Sequence, residues 1–515
     1  MRRDKFITAD AAAALIADGA TVGLIGGGGG LMEASTVFAA IERRFLGTRH
    51  PANLTLVHAL GIGDRKTMGL NRFAHEGMVK RVIGGHWVWS PRMQELARGE
   101  KIEAHVLPAG VIMQLYREIG AGRPGLVSHV GIGTFVDPRQ DGGRMNAAAT
   151  ANLVEVVTID GEEWLRYKSF PIDVAIIRGT FADPKGNVSL IGEAANLDIH
   201  AIALAAHNSG GKVIAQVRHA VEADSLPARQ VNVPGVLVDA VVVDPDQRTG
   251  YDIAVDPALS GERRGIALPE PPQPFTVRQV IGRRAVEELR EGAVVNYGFG
   301  IPDAVAKIVS LRGHGDRYYQ SIEHGAYGGT LLEGSLFGYA RNPSAIIDAP
   351  SQFDFYSGGG LDIAFLGFGQ IDTAGNVNVS KLAGLPVGPG GFIDIAQNAR
   401  KIVFCGTFEA KGLTIATGDG RMRIEANGNV RKLVHHVDQI TFSGSQALRQ
   451  GQEVVYVTER AVFRLTREGV MLVEIAPGVD LQRDVLDRME FTPVMSGPPA
   501  IMSADHFEEM DRHAG

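Results

Sequence analysis

The chain carries one cysteine, Cys405, in 515 residues. A single thiol closes no internal disulfide and builds no cysteine-based metal site, and it fits a reducing, cytoplasmic setting. No apolar run approaches the roughly 18 residues of a membrane span, so none is expected. Basic tracts are missing and the net charge is -7, which speaks against a nucleic-acid surface. The opening Met-Arg-Arg-Asp-Lys-Phe runs straight into Ile7-Thr-Ala-Asp-Ala-Ala-Ala-Ala, read as an N-cap and a first helix, with no signal peptide expected. The histidines are scattered, and the adjacent pair His435-His436 lacks the helical spacing of metal ligands, so it reads as surface and no metal is expected. No Gly-Lys-Ser/Thr follows Gly26 to Gly30, which excludes a nucleotide-hydrolase phosphate loop. Ser443-Gly-Ser-Gln lacks the Gly-x-Ser-x-Gly frame of a serine nucleophile elbow.

What is present is an ordinary globular composition, 45% hydrophobic and 21% charged, long enough for two to four domains. Glycine stands out, at 65 residues, about twice its usual share of roughly 7%. The glycines cluster at Gly26 to Gly30, Gly358 to Gly360 and Gly388-Pro-Gly-Gly391. Clustering predicts backbone loops that approach a ligand closely; tight turns between strand and helix are the plainer alternative.

The chain also repeats itself. Asp173-Val-Ala-Ile-Ile-Arg-Gly-Thr-Phe-Ala-Asp-Pro-Lys-Gly-Asn-Val-Ser returns as Asp362-Ile-Ala-Phe-Leu-Gly-Phe-Gly-Gln-Ile-Asp-Thr-Ala-Gly-Asn-Val-Asn, at a constant spacing of 189 residues. Asp173 pairs with Asp362, Asp183 with Asp372 and Asn187 with Asn376, and Lys212-Val-Ile meets Lys401-Ile-Val at the same spacing. A second echo, spaced by 273, joins Asp18-Gly-Ala-Thr-Val-Gly to Glu291-Gly-Ala-Val-Val-Asn. Asp362 and Asp372 stand in a repeated frame of which only one copy carries the acidic motif described below, so they are expected to serve turns and strand ends.

Between the halves lies Leu268-Pro-Glu-Pro-Pro-Gln-Pro-Phe275, which cannot be helix and reads as a semi-rigid linker. The boundaries expected are 1–267 for the first domain, 268–275 for the linker and 276–515 for the second. Strands are read at Val236 to Val243, Ile402 to Cys405 and Val454 to Val457, and helices at Met32 to Phe45 and Pro302 to Leu311, with another resuming at Thr276. This alternation predicts an α/β chain of two tandem, related open α/β domains with largely parallel sheets. Ligands would bind at the strand carboxyl ends, and the active site would lie at the interface of the halves. Cys405 ends a strand and reads as a buried thiol; Trp87 and Trp89 read as packing residues beside Gly84-Gly85-His86.

Glu323 is the candidate to carry the chemistry. It follows a short β-like run, Tyr318 to Ile322, and precedes a glycine-rich turn, within Gln320-Ser-Ile-Glu-His-Gly-Ala-Tyr-Gly-Gly. A carboxylate held between flexible backbone loops can attack a thioester carbonyl, and backbone N–H groups of the loops can receive the oxyanion. Gly358, Gly359 and Gly360 are the first candidates for those donors and for ligand contact, then Gly26, Gly27 and Gly28. The stretch Leu31-Met-Glu-Ala-Ser reads as a helix start whose amides could hold an anion such as a phosphate. A surface or capping carboxylate remains the alternative reading of Glu323 from spacing alone.

The motifs Glu323-His-Gly, Gly358-Gly-Gly-Leu-Asp-Ile-Ala, Gly375-Asn-Val-Asn-Val, Gly390-Gly-Phe-Ile-Asp-Ile, Val22-Gly-Leu-Ile-Gly-Gly, Gly122-Arg-Pro-Gly and His129-Val-Gly-Ile-Gly-Thr resemble the family I CoA-transferases, in particular their single-chain propionate or acetate group. The resemblance runs over nearly the whole chain, to Gly469-Val-Met-Leu-Val-Glu-Ile-Ala-Pro-Gly. It implies the CoA-transferase fold, with the two subunits of other members fused here. It implies Glu323 as the catalytic nucleophile, a ping-pong route through a glutamyl-CoA thioester, and Gly390 and Gly391 as further oxyanion or CoA contacts. CoA and acyl-CoA would be substrates beside short or medium carboxylic acids, with no cofactor bound permanently, and the chain would form a homo-oligomer, a dimer or tetramer. Many members carry Pro-Gln-Gly where this chain reads Pro108-Ala-Gly110. Ala109 cannot donate the hydrogen bond of that Gln, so a larger or more apolar acid is expected in a pocket built by Ala109, Gly110 and Tyr327. An acyl-CoA thioesterase on the same scaffold and a silent CoA-binding regulator remain as alternatives.

Overall fold

The computed structural model describes residues 4–266 and 275–508. The linker expected at 268–275 lies outside the described residues except for Phe275. The chain forms two compact units. The first comprises Met1–Gly265, Ile322–Ser357 and Lys381–Asp394; the second comprises Ile266–Ser321, Gly358–Ser380 and Ile395–Gly515.

The first unit is built on a parallel sheet in the order Ala240–Val243, Lys212–Ala220, Val174–Ala182, Thr21–Leu24, Leu54–His58, Val79–Gly84, Glu103–Val106. The chain starts in the middle, at Thr21, steps outward to Glu103, then returns to the other side at Val174. Ligands collect at such a reversal because adjacent loops diverge there and leave a crevice at the strand carboxyl ends. The loop Gly26 to Gly30 leaves the carboxyl end of the Thr21 strand, at that reversal. Val174–Ala182 is buried at all but one position, as a strand covered on both faces must be. Each Val or Ile enclosed there contributes about 1.5–3 kcal/mol. A separate antiparallel sheet joins Gly125–Ser128, Glu162–Lys168 and Val154–Ile159.

The second unit repeats the plan with parallel strands in the order Tyr319–Ser321, Val294–Tyr297, Ile363–Gly367, Lys401–Cys405, Glu453–Val457, followed by the antiparallel Ala461–Thr466 and Gly469–Ile475. Its register copies the first unit. Val22 pairs with Val174 and Val295 with Ile363. Lys212 pairs with Val174 and Lys401 with Ile363. The mixed α/β class with parallel sheets is thus the observed one.

Local readings are refined at element ends. The first helix is Ala9–Ala14, capped by the Thr8 side chain, which accepts from the Ala11 N–H. The helix expected from Met32 starts at Ser35, because Met32 sits at φ 56° within the glycine loop. The helix expected from Pro302 runs Asp303–Leu311, with Pro302 at its N-cap. The strand expected from Val236 starts at Ala240; Gly235–Leu237 is instead a 3-10 turn behind Pro234. Thr276 and Gln279 form a capping box on Val277–Val286. Cys405 is buried at the end of its strand, and His435 and His436 are exposed. Ser443 is a helix cap, its hydroxyl accepting from the Gln446 N–H. No helix among the described residues is long and apolar enough to cross a membrane.

Candidate active site

Four loops leave neighbouring strands of the first unit at their carboxyl ends: Gly26 to Gly30, Ala59 to Gly63, Gly85 to Trp89 and Leu107 to Gly110. The first two are laced together, Gly29 N–H donating to Gly63 O at 3.0 Å. Glycine is required at 28, where an added Cβ would stand 2.1 Å from the Trp89 ring. It is required at 29 as well, where φ is +71° and a Cβ would meet Ser335 O at 2.3 Å. Trp87 and Trp89 are buried, so they pack beneath these loops.

The segment that returns to the first unit at Ile322 brings Glu323. The residue is 9% exposed, and Oε2 is buried with no hydrogen-bond partner among the described residues. A buried carboxylate oxygen without a donor keeps its lone pair free and is costly to desolvate, a state retained at sites of reaction. His324 follows, edge-on to Phe337 with ring centroids 5.7 Å apart. Burial holds its imidazole below the ordinary histidine value, partly countered by Glu323. A Cβ at Gly27 would lie 3.6 Å from His324 Nε2, so the first glycine loop borders this histidine.

The second wall is Gly388 to Gly391. Gly390 N–H donates to Gly85 O at 2.8 Å, and Ala109 N–H donates to Gly390 O at 2.8 Å. Trp87 N–H donates to Val387 O at 2.8 Å, completing the lock. A Cβ at Gly391 would stand 3.5 Å from Glu323 Cγ and 2.9 Å from Phe353 Cζ. Gly391 N–H has no acceptor among the described residues. Below them lies Asp394, fully buried, its Oδ2 accepting from Gly110 N–H at 3.2 Å. Burial raises this carboxyl to about 8; donation from Gly110 opposes the shift and the charge of Glu323 adds to it.

The residues read from sequence divide as follows. The first unit carries Glu323, Gly26 to Gly28, Ala109, Gly110, Tyr327, Gly390 and Gly391. Ala109 is fully buried at the first position of the helix Ala109–Gly120. Tyr327 is half-buried, edge-on to Phe355. Gly358 to Gly360 belong to the second unit, where they turn the chain from the helix Ala349–Ser357 to the strand Ile363–Gly367. Gly359 has φ +86° and open space around a would-be Cβ, the signature of a turn glycine.

Two expected donors are already committed. Gly390 N–H serves Gly85, and Gly27 N–H serves Leu31 O at 2.7 Å. The helix start after Leu31 is no anion site either: Gln216 Oε1 accepts from Thr36 N–H at 3.0 Å and Val37 N–H at 3.3 Å. A side-chain amide from a distant strand fills the place a phosphate would take.

Sequence reasoning missed Asp394, Phe353, Glu33 and Tyr251. Asp394 lies inside the Gly390-Gly-Phe-Ile-Asp motif, so its neighbours signalled it. Nothing local marks Tyr251, which reaches Glu33 across more than 200 residues.

The chain matches the family model described as Coenzyme A transferase over residues 6–244. It is 44% identical over 491 residues to the acetate CoA-transferase YdiF of Escherichia coli, covering 95% of this chain and 92% of that protein. It is 45% identical over 514 residues to the caffeate CoA-transferase of Acetobacterium woodii, covering 98% of each. Among solved structures it resembles the acyl-CoA transferase YdiF of Escherichia coli in its thioester complex with CoA, with TM-score 0.93, 42% identity, and coverage of 98% of this chain and 96% of that one. Identity of this order over nearly the full length of both chains, with the α/β architecture matched throughout, leaves one assignment: the chain belongs to family I of the coenzyme A transferases and is a CoA-transferase.

Proposed function

We propose that this transferase moves CoA between carboxylic acids through Glu323, by a ping-pong route. The Glu323 carboxylate attacks the acyl-CoA carbonyl, the C–S bond breaks, and CoA thiolate leaves a mixed anhydride. The thiolate then attacks the Glu323 carbonyl, releasing the first acid as carboxylate and leaving glutamyl-CoA. A second carboxylate repeats the steps in reverse and departs as the new acyl-CoA. One thioester replaces another, so no metal or redox step enters.

The observation that carries this reading is the buried Glu323 with an unpartnered Oε2, set against Gly391. Gly391 N–H is the oxyanion donor in this proposal, because its neighbour Gly390 is committed to Gly85 and Gly391 N–H has no acceptor among the described residues. A donor fixed before the reaction stabilises the tetrahedral oxygen by about 2.7–4 kcal/mol. The thioester complex of the YdiF relative supports the covalent route.

The acid is proposed to be larger than acetate. Ala109 fills with a methyl group the position where many members carry Gln, and a relative 45% identical is a caffeate CoA-transferase. We also propose a cytoplasmic homo-oligomer, dimer or tetramer, which light scattering at micromolar concentration tests.

The deciding experiment is intact mass after incubation with propionyl-CoA and no acceptor. Wild type gains CoA less water within the Gln320–Arg341 region, and Glu323→Gln gains nothing. CoA release without adduct or acceptor would replace transfer by hydrolysis.

A further inference from the structure

Beneath the Gly26 to Gly30 loop lies a buried polar cluster that no step above uses. Glu33 is fully buried, and its Oε1 accepts from Gly63 N–H at 2.8 Å. Its Oε2 accepts from the Tyr251 hydroxyl. Tyr251 also grips the loop through its backbone, its N–H donating to Gly29 O at 2.8 Å. Arg178 donates to Gly30 O at 3.4 Å and Glu33 O at 3.3 Å, and pairs with the buried Glu193 at 2.9 Å.

The fit is tight. A Cβ at Gly26 would come within 2.7 Å of Glu33 Cγ, and one at Gly69 within 2.6 Å of Glu33 Oε2. A Cβ at Gly30 would meet Tyr251 N at 2.8 Å. The two ends of the loop, Gly26 and Gly30, therefore lie against the Glu33–Tyr251 pair, and Gly27 between them borders His324, the residue after Glu323. Burying a carboxyl and a phenol together is costly unless each satisfies the other, so the pair holds one geometry rather than several.

We propose that Glu33 and Tyr251 are positioning residues for CoA transfer: a buried carboxyl–phenol pair that fixes the Gly26 to Gly30 loop against His324 and so aligns the Glu323 site. The proposal rests on Glu323 as the nucleophile for its geometry, but its effect is read on turnover.

The test measures transfer from propionyl-CoA to acetate for Tyr251→Phe, Glu33→Gln and Glu33→Ala, with melting temperature and the glutamyl-CoA adduct followed alongside. Displacing a loop by an ångström near the reacting group costs about 100-fold in rate, so loss of the phenol proton is expected to lower kcat about tenfold or more. KM for propionyl-CoA stays within about threefold, because ground-state contacts persist. Glu33→Gln keeps an acceptor for Gly63 and recovers most of the kcat that Glu33→Ala loses. A Tyr251→Phe enzyme with wild-type kcat overturns the proposal. So does a kcat loss that follows only the fraction of folded protein, or a Glu33→Gln no better than Glu33→Ala. An adduct that survives Glu323→Gln removes the nucleophile reading instead, and the kcat comparison still decides the role of the pair.

Discussion

The two copies of the repeated frame make the same turn and strand-end hydrogen bonds, yet the strand beside each ends differently. In the first copy Asp173 Oδ2 accepts from Thr21 N–H at 2.7 Å; in the second Asp362 Oδ2 accepts from Val294 N–H at 2.9 Å. Asp183 Oδ1 accepts from Lys185 and Asn187 N–H, both at 3.0 Å, and Asp372 Oδ1 accepts from Ala374 and Asn376 N–H, both at 3.0 Å. Each Asn then clamps a distant glycine, Asn187 accepting from Gly235 N–H and Asn376 from Gly444 N–H. The neighbouring strand differs. Thr21 pairs with Thr55 and Val294 with Tyr319. The same step past each partner reaches Ala59-Leu-Gly61 in one copy and Glu323-His-Gly325 in the other. Shared side chains hold the strands and turns; the unshared carboxylate is the proposed nucleophile.

The largest expected effect breaks this comparison at its odd position. Glu323→Gln should lose at least about 10³-fold in transfer, as removal of a covalent nucleophile does. Ala59→Glu placed in that variant should restore nothing, because Ala59 stands beneath Gly85, whose would-be Cβ meets Ala59 O at 1.9 Å. Recovered transfer would make the two positions interchangeable.

The shared position is tested next. Asp183→Ala and Asp372→Ala each leave several part-buried N–H donors without their acceptor and should destabilise by about 1–3 kcal/mol, seen as similar drops in melting temperature. Loss of activity at Asp372 with unchanged stability would give that residue a chemical role and end the equivalence.

A smaller effect concerns the buried Asp394. Its carboxyl moves from an ordinary 3.8 to about 8 in the folded protein. Between those values the folded chain keeps a proton that the unfolded chain has lost, so stability falls as pH rises from about 4 to about 8. Asp394→Asn cannot ionise. Its melting temperature relative to wild type should therefore climb across that window, and a difference flat with pH would contradict the shift.

The smallest change is Ala109→Gln. An added amide at the first position of the helix should shift the ratio of kcat/KM between aryl-substituted and short acids toward the short ones, by about 10-fold, the scale of a few pocket atoms. An unchanged ratio would detach Ala109 from acid choice.

Much of this was legible in the residues. The spacing of 189 announced two equivalent strand-turn-strand frames, since Asx turns need Asp and Asn at fixed positions. Spacing alone left Glu323 open to a surface or capping reading; the Glu323-His-Gly motif and its resemblance to the CoA-transferases singled it out. The glycine clusters were harder to sort: Gly358 to Gly360 and Gly390 look alike as text. One is a turn with open space around Gly359, and the other has its N–H committed to Gly85. Helix starts misled for the same reason, since Gln216 fills the amides after Leu31 from a strand 180 residues away.

By itself, then, the sequence determined what depends on local rules: the α/β alternation, the repeated turns, the carboxylate and the family whose motifs surround it. Tertiary structure decided which groups are free to act. A hydrogen bond has one donor and a limited set of acceptors, and its partner is chosen by folding rather than by neighbourhood in the chain. That choice committed Gly390 and Gly27, left Gly391 N–H and Glu323 Oε2 without partners among the described residues, and set Tyr251 beneath a loop it follows by more than 200 residues.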